Sequence, residues 1–124
     1  MFVKGHIVSG LNHFQQRIAR YRGVFKERTG QELFPGTLNV KIDRQIEIKE
    51  DFRIKGTEIG EAEQDLIFER CKINGIEGFR IRPFDLQTGL GGHGDDTLEI
   101  ACAERVPCVG IGTEVEIELF SFTE

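Results

Sequence analysis

The chain has 124 residues, enough for one domain with its own core. Sixteen basic against twenty-one acidic residues leave a net charge of −5, which offers no broad footprint for a polyanion and speaks against nucleic-acid binding. Three cysteines, Cys71, Cys102 and Cys108, are odd in number and lack Cys-x-x-Cys spacing, so neither a disulfide framework nor a zinc site is indicated. They read as reduced thiols of a soluble cytoplasmic protein. Met1 to His6 does not resemble a signal peptide, and no run approaches the ~20 apolar residues of a membrane span.

Phe2 to Val8 alternates loosely and stops at Ser9-Gly10, as a first strand ended by a turn would. The period then changes. Phe14, Ile18, Tyr21 and Phe25 fall on one face of a helix that Gly30 would cap, with Gln15, Arg17, Arg20 and Lys26 toward water. Leu33 to Ile42 predicts a Pro-Gly turn feeding a strand. Thr37 and Asn39, two residues apart on extended backbone, must share one face, while Leu38, Val40 and Ile42 take the other. A hydroxyl and an amide carbonyl side by side suit a magnesium ion that arrives with nucleotide phosphates and draws much of its shell from water and substrate. The plain alternative is an ordinary turn running into a core strand.

Asp43 to Arg53 is charged and weakly periodic, with Ile46, Ile48 and Phe52 allowing short edge strands, and Gly56 to Asp65 reads as an acidic loop. Leu66 to Ile73 and Ile76 to Ile81 flank Asn74-Gly75, a strong hairpin signal because a type I′ turn needs positive φ at both central residues. Leu86 to Asp96 carries Gly89, Gly91, Gly92 and Gly94 with His93, Asp95 and Asp96, and predicts a loop; its His-x-Asp-Asp lacks the remote ligands of a closed metal site. Thr97 to Ala101 is a short strand, and Glu114 to Leu119 alternates, with Val115, Ile117 and Leu119 inward. Six to eight short strands and one helix suggest closure into a barrel.

Two turns and a strand carry a family likeness. Val8-Ser9-Gly10-Leu11, Pro35-Gly36-Thr37-Leu38-Asn39-Val40-Lys41 and, more weakly, Leu98-Glu99-Ile100-Ala101 resemble, in order, the motifs of the archaeal-type CTP-dependent riboflavin kinases. The resemblance implies a mostly β fold over residues 1–124: a small closed six-stranded, cradle-loop, riboflavin-kinase-like β-barrel with one α-helix between the first strands. It implies phosphoryl transfer from CTP to riboflavin, giving FMN, with Mg²⁺ on Thr37 and Asn39. By the same likeness Gly10, Leu11, Asn12, His13 and Arg105 would bind nucleotide. Glu99 would stand on the flavin side, within reach of the acceptor hydroxyl. The chain also departs from the pattern. The family's Gly-Leu-Gly-Glu-Gly run is here Gly10-Leu11-Asn12-His13-Phe14, and the loop threonine has Gly91 at the nearest position, Thr88 being offset. Two alternatives therefore stand: Asn12 or His13 capping the helix with Phe14 in the core, and Glu99 as a solvent-facing strand carboxylate. A third, for the whole chain, is a degenerate barrel serving as a flavin or nucleotide sensor or an interaction module.

Overall fold

The computed structural model describes residues 1–10, 13–34, 36–60, 64–86 and 96–120. Strand β1 (Phe2–Val8) is followed by helices α1 (His13–Arg20) and α2 (Arg22–Thr29), then β2 (Thr37–Ile42), β3 (Phe52–Ile54), a 3₁₀ turn (Gly56–Ile59), β4 (Gln64–Ile73), β5 (Ile76–Asp85), β6 (Thr97–Cys102) and β7 (Glu114–Leu119). All ladders are antiparallel, in the order β3-β4-β5-β6-β2-β1-β7, and β4 also pairs with β7. Six strands therefore close into a ring, the barrel expected from the sequence. Strand β3 stands outside it, because β4 shares one edge: Leu66 to Phe68 face β3, and Cys71 to Ile73 face β7.

Alternation sorts the side chains into two cores. Inside the barrel lie Ile7, Val40, Leu98, Ile100, Ile73, Ile117 and Leu119, among others, drawn from the ring strands. The second core covers the outer face of β3 to β6, where Ile18, Phe25 and Leu33 meet Ile54, Leu66, Phe68, Phe79 and Ile81. Phe52 stacks on Phe68 with centroids 4.7 Å apart, and Phe79 meets both edge-on at 5.8 and 6.1 Å. Such pairs contribute about 0.5–1.5 kcal/mol each beyond the area they bury.

Three expectations are corrected. The single helix is a pair, because Tyr21 leaves helical geometry at φ −114°, ψ 39° and Gly23 weakens the turn that follows. Hydrogen bonds still bridge the break, from Tyr21 N–H to Arg17 and from Phe25 N–H to Tyr21, so Ile18 and Phe25 reach the same core. The loop after Gly56 opens with the 3₁₀ turn, whose Gly56 N–H donates to Asp65 Oδ1 at 2.9 Å and whose Ile59 is buried. Of the edge strands allowed between 43 and 53, only Phe52 enters one; Ile46 is instead buried among the barrel-lining residues. Its carbonyl accepts a hydrogen bond from Arg80, whose guanidinium also meets Glu69 at 3.3 Å. The hairpin matches its signal, with φ 49° at Asn74 and 81° at Gly75. No described helix is long and apolar enough to cross a membrane.

Candidate functional site

The site grows from the register between β2 and β6. Asn39 pairs with Glu99 and Thr37 with Ala101, and residues directly opposite in an antiparallel ladder share a side of the sheet. Thr37, Asn39 and Glu99 therefore stand together on the outer face, the one that the helix pair covers farther along through Ala101 and Ile81. The Thr37 hydroxyl donates to Glu99 Oε2 at 2.8 Å. Glu99 is 3% exposed and Asn39 4%, so the reading of Glu99 as a solvent-facing carboxylate does not hold.

Gly10 completes the cluster from the end of β1. A Cβ on it would lie 1.8 Å from Asn39 Nδ2 and 2.2 Å from its Cγ, so its backbone rests directly on the amide. No other residue fits there without displacing Asn39. Of the remaining nucleotide candidates, Leu11 and Asn12 lie outside the described residues, and His13 opens α1. The loop residues 87–95, with Thr88, Gly91, His93 and Asp95, lie outside them too. Asp96 is described, and it serves Lys41: the ammonium hydrogen bond at 2.5 Å pulls the Asp96 carboxyl below its usual range. Among the described residues no three His, Cys, Asp or Glu side chains gather closely enough to hold a metal ion.

A cleft of about 360 Å³ opens where β2 begins and β6 ends. Thr37 and Arg105 both line it, together with Phe34, Ile100, Cys102 and Glu104. Burial, reinforced by the Glu104 charge, pushes the Cys102 thiol up to about 11, so it stays protonated at neutral pH. The sequence reading singled out Thr37 and Arg105 and passed over Phe34, Glu104 and Cys102. An adjacent apolar pair before a Pro-Gly turn was the available signal for Phe34, since Leu33 takes the core and its neighbour must turn out.

A family model described as "Domain of unknown function DUF120", the CTP-dependent riboflavin kinase domain, matches residues 7–108. The chain belongs to this family. The chain is 28% identical over 120 residues to a riboflavin kinase of Thermofilum pendens, an alignment covering 84% of this chain and 51% of that protein. It is also 44% identical over 44 residues to a riboflavin kinase of Staphylothermus marinus, covering 36% of this chain and 34% of that protein. The chain thus spans about half the length of the first relative. The family match runs from the last two residues of β1 to Cys108, so it takes in Gly10, Thr37, Asn39, Glu99 and Arg105 alike.

Proposed function

We propose that this domain transfers the terminal phosphoryl group of CTP to the primary hydroxyl of riboflavin, releasing CDP and FMN, with Mg²⁺ held by Thr37 and Asn39. The observation that carries the reading is the convergence of Thr37, Asn39, Glu99 and Gly10 on one outer patch beside a cleft that Thr37 and Arg105 share. Family membership and the two riboflavin kinase relatives support it.

The donor set fits magnesium. A hydroxyl that donates its hydrogen bond to Glu99 keeps its lone pairs for a cation, and an amide oxygen beside it adds a second hard, neutral donor. Thr37 and Asn39 would hold the ion, whose positive charge would offset the charge that builds on the transferred group. The protein's own residues have the remaining tasks. Gly10 holds the Asn39 amide in place and brings backbone within reach of phosphate oxygens. Glu99 orients Thr37 through their hydrogen bond and offers a carboxylate to take the proton of the acceptor hydroxyl, whose oxygen bonds to phosphorus as the bridging bond to CDP breaks. Arg105, at the rim of the cleft, faces the nucleotide.

Purified protein incubated with riboflavin, Mg²⁺ and either CTP or ATP should yield FMN by chromatography, with CTP preferred. Absence of FMN with every nucleotide, alongside retained riboflavin binding, would replace this reading with that of a flavin sensor.

A further inference from the structure

Phe34 is 40% exposed, although the other phenylalanines named in the second core, Phe25, Phe52, Phe68 and Phe79, pack on one another. A single exposed aromatic is ordinary. This one is held in place on both sides. Its N–H donates to the Cys102 carbonyl at 2.8 Å, tying it to the end of β6, and the preceding Leu33 is anchored in the second core. Its ring lies across Gly36, where a Cβ would come within 3.0 Å of Cε1. Chain and glycine together stand the ring as one wall of the cleft, over a buried apolar floor that includes Ile100 and Cys102. Glu104 and Arg105 place charges of both signs on the same cleft, and Thr37 marks the end next to the proposed metal pair. A cleft with an aromatic wall, an apolar floor and a charged rim matches a nucleobase, which stacks through its face and hydrogen-bonds through its edge.

We infer that Phe34 is the stacking wall for the nucleotide base, and that it sets nucleotide affinity without taking part in phosphoryl transfer. The inference rests on the cleft being the nucleotide side of the site. The chain has no tryptophan, so Phe34→Trp creates a sole indole reporter at this wall. CDP with Mg²⁺ should quench that indole saturably, at the midpoint that calorimetry gives for CDP binding. Phe34→Ala should weaken CDP binding and raise the KM for CTP about tenfold or more, the cost of losing one base stack. Its kcat should stay within about twofold, and Phe34→Tyr should restore affinity. An indole silent to CDP, or a CDP affinity unchanged in Phe34→Ala, overturns the inference. So does a Phe34→Ala variant that loses riboflavin affinity instead, which would give the wall to the flavin. The two proposals fail separately. A wild-type chain that makes no FMN yet binds CDP through Phe34 removes the kinase reading alone, whereas normal FMN formation with CTP kinetics indifferent to Phe34 removes only this one.

Discussion

Two of the buried polar groups among the described residues are built on opposite principles. Inside, Arg80 and Glu69 are 2% and 1% exposed and face each other across β4 and β5, with the Arg80 guanidinium also closing on the Ile46 carbonyl. Burial pulls Arg80 below the usual guanidinium range while Glu69 opposes the shift, as in a pair whose partners depend on one another. Outside, a hydroxyl–carboxylate hydrogen bond joins Thr37 to Glu99 and a glycine presses on Asn39 beside them, next to a cleft. The inner group spends its polarity on the protein and holds the irregular 43–50 segment against the barrel. On the proposed reading, the outer group spends its polarity on a ligand. Burial of a charge therefore does not by itself mark a functional site; what the charge faces decides.

The contrast can be broken most severely from the inside. Arg80→Ala should cost about 3–5 kcal/mol in chemical denaturation, because Glu69 is left buried without its guanidinium. Replacing both residues by apolar side chains of similar volume should recover most of that loss. Next comes Gly10→Ala, whose methyl must displace the Asn39 amide: about 1–3 kcal/mol of stability and about a hundredfold in FMN formation. A stability loss without an activity loss would remove Gly10 from the site. Thr37→Ala should raise the Mg²⁺ concentration needed for half-maximal turnover about tenfold while leaving the denaturation midpoint within about 1 kcal/mol, and Thr37→Ser should restore it. Equal Mg²⁺ dependence in all three proteins would make Thr37 structural.

A smaller effect concerns the thiols. Only Cys108 is exposed, so iodoacetamide at pH 8 should modify one cysteine per chain by mass spectrometry and leave Cys71 and Cys102 intact. Burial raises both buried thiols, Cys102 to about 11 and Cys71 beyond that, so the folded state favours their neutral forms. This contribution to stability is complete below the ordinary thiol value near ~8.5 and falls away as pH rises through it toward 11. Denaturation midpoints measured from pH 7 to 10 should decline accordingly.

Much of this architecture was legible from period alone. The alternation of Glu114 to Leu119, the Asn74-Gly75 turn and the shared face of Thr37 and Asn39 need only neighbouring residues, and the folded chain agrees with each. Period cannot supply what depends on distant partners. Glu99 reads as a surface carboxylate because it alternates with Leu98 and Ile100; its burial comes from a register that sets it against Asn39, sixty positions earlier. Ile46 looks like part of an edge strand until Arg80 claims its carbonyl. The break at Tyr21 escapes notice because the apolar spacing of Ile18 and Phe25 is the same for one helix or two. The cleft unites the start of β2 with the chain after β6, so Phe34 and Glu104 become neighbours only after closure.

Strand β4 divides one edge between two neighbours, β3 and β7. Among the described residues three ladder pairs, Cys71 to Ile73 with Leu119 to Ile117, sew the cylinder shut, whereas ten pairs bind β4 to β5. That short seam is where hydrogen exchange should begin, as local openings start where few bonds must part together. Following the ring around, the β2–β6 junction lies diametrically across from it. The barrel can breathe on one flank while the opposite flank, carrying Thr37, Asn39 and Glu99, keeps its register.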